Sequence, residues 1–529
     1  MCGIAAIHVT DEAAHGTPDE ALGERMLDRL AHRGPDDSGT RVCGTRSWLG
    51  HRRLSIVDLD GGRQPLPATA PSLSLSSPPY DGWSLVCNGE IYGHSELRAA
   101  LGEDRFTSAS DSEAALVLLR ERGPEELDRL SGMWALCAAA PDGRFVAARD
   151  RVGIKPLYWA RTPGAVHFAS ELRAFDPDVR HAAEAFPPGC SWTPGEGLRR
   201  FAGPVPPRGS RTSAADRADW AGLPERAVEK ATREVVADSV RRHLMADVEV
   251  GVFLSGGLDS GLVAAVAAET YAREGRRLKT FAVGTPGSAD LLAAREAAAF
   301  LGTEHHEAVL DPAEAVAALE TVIACVESFD AGLIRSAVPN WFLARLAARH
   351  VKAVLTGEGA DELFAGYGYY HEAHPEPAAL ERELRRTVGA LHGLNLQRCD
   401  RVTMAHGLEA RVPFLDTEVI GHAMSLPAEA KSLEPDGMEK GHLRRAFAGW
   451  LPEKLLWRRK EEFGTGSGAR DVLGAGWEER ISDAEFAAAR DAEGAPELRG
   501  KEELAYYRAF CRALPGVRPQ AVLTRFATG

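Results

Sequence analysis

Cys2 stands directly behind Met1 in the opening MCGIAAIHVT, and a small second residue favours trimming of the initiator. Trimming would put a thiol and a free α-amino group on one residue, so that the nucleophile carries its own base. Taken alone, the position also suits a small apolar residue opening a strand, because free cysteine is among the most buried residue types. The second stretch with chemical promise is GVFLSGGLDSGLVAAVAAE. An apolar run ends at Leu254, a tight loop of Ser255, Gly256, Gly257, Leu258, Asp259 and Ser260 follows, and a helical pattern begins at once. Two glycines let the backbone turn sharply and present bare N–H groups to an anion. The helix adds the positive end of its dipole, with Asp259 and Ser260 placed to cap it. No lysine occupies the position that a Walker loop requires, which excludes that mode of phosphate binding. In VLTGEGADELFAGY, Gly357 and Gly359 bracket Glu358 and expose its carboxylate, which suits it to take a proton from an attacking amine. Asp361 and Glu362 open the next helix, where acids serve either as dipole partners or as ligands of a hard cation.

These residues need two different frameworks. Residues 2 to about 190 read as short alternating strands, in IAAIHV, SWLGHRRLSIVDL, WSLVCNGEIY and GRFVAARD, with one apolar helix over Ser112 to Arg122. The stretch 191–222 is dense in proline, glycine, serine and arginine, which denies the backbone regular donors; it is the expected linker. From 223 to 529 the texture changes to Ala-rich helices carrying three strand candidates, VEVGVFLS (248–255), LKTFAVG (278–284) and VKAVLTG (351–357). Strands alternating with helices predict an α/β domain with a parallel sheet covered on both faces. The carboxyl ends of those strands would gather the Ser255–Ser260 loop, Val283-Gly284 and the Gly357–Glu362 loop on one side. Residues 480–529 are charged and helical in texture and announce no role.

At 529 residues the chain is long enough for two or three domains. A net charge of −14 argues against general nucleic-acid binding, which needs a basic face to release counterions. No stretch approaches the roughly 18 apolar residues of a membrane span, and the start lacks the pattern of a signal peptide. Eight cysteines are scattered without metal-ligand or disulfide spacing, as expected of reduced thiols in a cytoplasmic enzyme.

Five segments of the first half accompany Cys2: HRGPDDSG (32–39), HRRLSIVDL (51–59), CNGEIYGHSEL (87–97), SDSEAAL (110–116) and ARDRVGIKPLY (148–158). Together they resemble the class II glutamine amidotransferase domain, a four-layer αββα N-terminal-nucleophile sandwich. The resemblance implies that Cys2 attacks the glutamine amide with its own amino group as base, and that Asn88 and the Gly89 N–H form the oxyanion hole. It further implies that Arg53 grips the glutamine α-carboxylate, that Glu90 and Asp111 receive the α-ammonium, and that Arg33 lies near the site.

The Ser255–Ser260 loop resembles that of ATP pyrophosphatases, which cradles the β,γ-phosphates of ATP while substrate attacks the α-phosphate. Asp259 and Asp361 would then hold Mg²⁺, and Val283-Gly284 would border the adenine. Further segments are ESFDAGLIRS (327–336), LEARVPFLD (408–416), DGMEKGHLRRAF (436–447) and WRRKEEFGTG (457–466). With both halves in one chain, they resemble glutamine-dependent asparagine synthetase over nearly the whole length. That family forms β-aspartyl-AMP and pyrophosphate from ATP and aspartate, frees ammonia from glutamine through a thioester, and joins the two. Arg335 and Lys460 match positions that neutralise pyrophosphate, Glu358 matches the candidate base, and a homodimer is common in the family.

One departure stands out. Gly332-Leu333 occupies the place where the family usually carries two threonines, which removes two hydroxyls before Arg335. It is the one feature favouring a different carboxylate acceptor, as in the biosynthesis of a small natural product. EHHE (304–307) has the wrong order for a metalloprotease motif and reads as a surface flank of an apolar segment.

Overall fold

The computed structural model describes residues 2–11, 16–67, 82–207, 220, 223–374, 376–460, 473 and 477–525. Met1, residues 208–219 and 221–222 of the expected linker, and residues 461–466 of the WRRKEEFGTG segment lie outside the described residues.

Strand Cys2–Val9 explains how the first half is layered. Ile4 and Ala6 pack in one apolar cluster with Val86, Ala135 and Phe168, whereas Ala5 and Ile7 pack in another with Met26 and Leu27. Because alternate side chains leave a strand on opposite faces, a strand apolar on both sides must lie inside a stack. The first antiparallel sheet runs through Ala183–Ala185, Tyr158–Thr162, Ala165–Ala169, Cys2–Val9, Ser47–Arg53 and Asp37–Cys43. The second runs through Gly197–Arg200, Cys190–Thr193, Phe145–Arg149, Gly132–Ala139, Ser84–Ile91 and Leu66–Pro67. Helix Glu20–Asp28 covers the first sheet with Met26 and Leu27. Helix Ser112–Arg122 covers the second, with Leu116 and Leu119 against Leu85 and Cys87. Helix, sheet, sheet and helix give the expected αββα order.

The second sheet reaches past the expected start of the linker at 191. Cys190–Thr193 and Gly197–Arg200 form a hairpin, with Gly197 at φ +70° beside the turn. The Pro and Gly of SWTPGEGLRR mark a tight turn between two strands, a pattern that composition alone cannot distinguish from a linker.

The second half holds a five-stranded parallel sheet in the order Glu304–Val309, Lys279–Gly284, Val250–Phe253, Ala353–Leu355 and Glu409–Arg411. The first strand in sequence is central, and the chain adds strands first on one side and then on the other. The order reverses between Val250–Phe253 and Ala353–Leu355, where such sheets open a crevice at their carboxyl ends. EHHE, read as a surface flank, opens the edge strand of this sheet: Glu304–Val309 pairs in full with Lys279–Gly284. His306 answers Glu304 at 2.8 Å and His305 answers Glu307 at 3.3 Å, so both histidines are engaged within the strand.

The halves share one apolar core, in which Ala5, Ile7 and Met26 belong to the same cluster as Phe281, Phe329, Val338 and Phe510. Polar docking accompanies it. Glu327, buried at φ +58°, accepts the backbone N–H groups of Leu172 (3.0 Å) and Arg173 (2.8 Å). Within ARDRVGIKPLY, Asp150 Oδ1 accepts the N–H groups of Val152, Gly153 and Ile154 at 3.1, 2.7 and 2.9 Å, shaping a loop from which Lys155 reaches the Ala410 carbonyl (3.2 Å). Among the described residues, no helix is long and apolar enough to cross a membrane.

Candidate functional site

The first site forms where strand Cys2–Val9 lies beside strand Ser84–Ile91. The Cys2 backbone nitrogen donates to Asn88 Oδ1 at 3.1 Å, and the buried Asn88 Nδ2 has no partner among the described residues. An unpaired buried amide is costly, so a donor left in this state beside a thiol is suited to a developing oxyanion. Gly89 continues the same strand at φ +149°, and a Cβ there would meet the Met133 carbonyl at 1.9 Å. Only glycine lets the two strands approach this closely. Burial pushes the Cys2 thiol above its ordinary value, with the Leu54 backbone N–H offsetting part of the rise. A thiol so placed needs a base to become the thiolate that attacks.

Arg53 ends strand Ser47–Arg53 opposite Cys2, and its guanidinium is held by the carbonyls of Leu59 (3.0 Å), Val57 (3.2 Å) and Asp58 (2.6 Å). Asp111 Oδ2 accepts the Ile91 N–H at 2.6 Å, and Glu90 lies 3.5 Å from Arg411 of the second half, its Oε2 without a hydrogen bond among the described residues. Burial, with Glu409 and Asp111 nearby, pushes the Glu90 carboxyl well above the ordinary range. A cation arriving between these acids would relieve that cost.

The second site is a cavity of about 730 Å³ at the carboxyl ends of the parallel strands. Leu254, Ser255, Gly257, Asp259 and Ser260 line it, as do Val283, Gly357, Glu358, Asp361, Arg335 and Lys460. Two expected residues do not. Gly256 turns at φ +72° against Ala293 and Ala294, and Gly284 packs against Ser288 and Leu291, so each serves the shape of its loop rather than the wall. Ser255 and Ser260 hydroxyls bond at 3.0 Å across the loop. A Cβ on Gly357 would lie 2.8 Å from both Asp259 Cβ and the Ser260 nitrogen, so the two acid-bearing loops touch.

Lys440 organises the acids. Its Nζ donates to Asp259 Oδ1 and Oδ2 at 2.8 and 2.7 Å and also contacts Asp361, which Lys460 approaches at 2.5 Å. Burial alone would raise the Asp361 carboxyl, but the two lysines hold it far below its usual range. Two carboxylates converging on one cationic centre fit Mg²⁺, which takes one or two carboxylates together with substrate phosphate oxygens. Glu358 is paired with Arg398, whose Nη1 also donates to Ser336 Oγ at 2.8 Å. Glu362 accepts from Tyr367 (2.9 Å) and Asn395 (3.2 Å), and burial with Asp361 alongside pushes its carboxyl up to about 7.

The Gly332-Leu333 departure divides in the structure. Gly332 lines the cavity, while Leu333 is fully buried in the apolar core with its N–H bonded to Asp330 (3.0 Å). One lost hydroxyl concerns the cavity and the other only packing.

Lys440 and Arg398 carry much of this geometry, and the sequence reading assigned neither of them a role there; Glu362, read as a dipole partner or a cation ligand, instead bonds to Tyr367 and Asn395. Lys440 sits in DGMEKGHLRRAF at φ +58°, a conformation uncommon for a lysine and invisible to periodicity. Helix Asn395–Met404 links the two sites: Arg398 faces the cavity, and Asp400 takes Arg33 of the first half in a fork at 2.8 and 3.0 Å. Arg33 Nε donates in turn to the Cys2 carbonyl at 3.0 Å.

Comparison with known proteins follows the same division. Residues 1–186 match the family model described as glutamine amidotransferase domain, and residues 231–377 and 372–515 match asparagine synthase. The chain is 39% identical to glutamine-hydrolysing asparagine synthetase 3 of Arabidopsis thaliana over 490 residues, covering 88% of this chain and 79% of that protein. It is 38% identical to a probable glutamine-hydrolysing asparagine synthetase of Schizosaccharomyces pombe over 551 residues, covering 97% of this chain and 94% of that protein.

Proposed function

Because the chain belongs to the glutamine-hydrolysing asparagine synthetases, we propose that its two sites divide the family's reaction as their geometry suggests. It is an ATP-dependent ligase that takes nitrogen from glutamine and forms asparagine. In the first site Cys2 Sγ attacks the glutamine side-chain amide, its α-amine taking the thiol proton once Met1 is removed. Asn88 Nδ2 and the Gly89 N–H receive the oxyanion, Arg53 the α-carboxylate, and Glu90 with Asp111 the α-ammonium. Ammonia leaves, and water releases glutamate from the thioester.

In the second site the Ser255–Ser260 loop receives the phosphates of ATP, and the aspartate β-carboxylate displaces pyrophosphate to form β-aspartyl-AMP. Asp259 and Asp361 would hold Mg²⁺, which supplies charge neutralisation on the phosphates when bound. Arg335, Lys440 and Lys460 add fixed positive charge where pyrophosphate leaves. Ammonia attacks the acyl carbon, AMP departs, and Glu358 takes the surplus proton. Ammonia in bulk water at neutral pH is mostly ammonium, so a water-poor passage between the sites keeps it nucleophilic. We place the protein in the cytoplasm and expect a homodimer.

The observation that carries this reading is helix Asn395–Met404, which bonds through Arg398 to Glu358 and through Asp400 and Arg33 to the Cys2 backbone. The test is Cys2→Ala: glutamine-dependent asparagine formation should vanish while added ammonia still supports it. Undiminished use of glutamine would refute the assignment.

A further inference from the structure

The segment without a legible role places two adjacent acids against arginines that line the second cavity. Helix Lys501–Ala513 begins with Lys501, Glu502 and Glu503. Glu502 takes the guanidinium of Arg335 by one edge: Nε donates to Oε1 at 3.0 Å and Nη2 donates to Oε2. Tyr506, one turn later, donates its hydroxyl to the same Oε1 at 2.8 Å. Glu503 faces a different arginine, Arg525, and also accepts the Arg499 backbone N–H at 2.7 Å. Both Arg335 and Arg525 line the cavity.

An arginine on a long flexible stem loses substantial rotamer freedom when it settles on a phosphate. A carboxylate behind it removes that freedom in advance and leaves the opposite edge of the planar fork for an anion. The Nη1 edge of Arg335 takes no hydrogen bond among the described residues, so that edge is the one offered. We propose that Glu502 is a positioning residue for the adenylation step, holding Arg335 so that its Nη1 edge meets the departing pyrophosphate. Tyr506 braces Glu502, and helix Lys501–Ala513 thereby becomes part of the synthetase site. The inference rests on the role given to Arg335 above.

The test uses the full-length protein with ammonia as nitrogen donor and follows ATP- and aspartate-dependent pyrophosphate release. Glu502→Ala should lower kcat by roughly tenfold or more, as loss of a supporting partner commonly does. KM for aspartate and the glutamine hydrolysis rate measured without ATP should change less than about twofold, and Glu502→Asp should recover part of the loss. If the alanine variant does not fold, Glu502→Gln supplies the same measurement with near-identical shape; a fall in kcat at an unchanged melting temperature supports the inference. Arg335→Ala separates the two layers. If it leaves pyrophosphate release intact, the role of Arg335 itself is wrong. If Arg335→Ala is impaired while the Glu502 variants match wild type, only the positioning role falls. A higher kcat in Glu502→Gln would also overturn it, because Glu502 would then be withdrawing Arg335 from the phosphates.

Discussion

Replacing Arg33 with methionine keeps the aliphatic stem and deletes every donor of a side chain that is 0% exposed. Four hydrogen bonds disappear: Nε to the Cys2 carbonyl (3.0 Å), Nη1 to Glu171 (2.7 Å), and Nη1 and Nη2 to Asp400 (2.8 and 3.0 Å). Removing one partner from a buried ion pair typically costs about 3–5 kcal/mol, because the remaining charge stays buried. Here the acids are not abandoned. Asp400 keeps Arg401 at 3.2 Å, and Glu171 keeps Arg173 at 3.0 Å and His32 at 3.1 Å. The lower end, about 3 kcal/mol, is therefore expected. Urea unfolding followed by a probe in the first half measures it, and Asp400→Asn completes a double-mutant cycle. Asp400→Asn with Arg33→Met should cost less than the sum of the single changes, by about 2 kcal/mol. Because Arg33 also holds the Cys2 carbonyl, glutamine hydrolysis should fall while ammonia-dependent synthesis continues. A single variant within about 0.5 kcal/mol of wild type, the scatter of uncoupled sites, or an additive cycle, would refute the claim that this pair joins the two halves.

Three further outcomes follow from the second site. Glu362 keeps its proton in the folded protein up to about pH 7, whereas an unfolded glutamate releases it near 4.3. Its contribution to stability is complete below the unfolded value and is lost as pH rises through 7. Glu362→Gln should therefore gain on wild type by something on the order of 3 kcal/mol between pH 4 and pH 8; an equal difference at both pH values in urea denaturation would argue against a buried, proton-holding Glu362. Lys440→Met should lower pyrophosphate release by at least about a hundredfold, on the scale of losing a charged transition-state donor, while leaving glutamine hydrolysis intact; loss of both activities would mean that Lys440 supports the whole fold. Gly357→Ala must push the Glu358 loop off Asp259 and Ser260, because its Cβ would lie 2.8 Å from atoms held by backbone. A rise in KM for ATP with little change in glutamine turnover is expected, and unchanged ATP kinetics would show that the loops can separate freely.

Much of the local structure was legible from pattern. The helix expected over Ser112–Arg122 forms with those bounds, and the three strand candidates of the second half contain Val250–Phe253, Lys279–Gly284 and Ala353–Leu355. Strands escaped where the pattern was weak. Glu304–Val309 carries two acids and two histidines in an edge position, and Glu409–Arg411 is three residues long with two charges. Neither shows the apolar run or the clean alternation that identifies a strand locally. The hairpin at Cys190–Arg200 was hidden by turn residues that also occur in linkers.

The sequence by itself determined the local make-up of the loops: a cysteine at position 2, a two-glycine Ser255–Ser260 turn, and Glu358 between Gly357 and Gly359 with Asp361 and Glu362 just after. Those depend on neighbours within a few residues, through backbone freedom and helix dipoles. Only the tertiary structure decided which distant charges complete them. Lys440 reaches Asp259 across 181 positions, Arg33 reaches Asp400 across 367, and Glu502 reaches Arg335 across 167. Nothing local distinguishes these residues from the surface arginines, lysines and glutamates around them. Their roles arise because burial makes an unpaired charge costly, so packing the two halves together allows only arrangements in which such charges find one another.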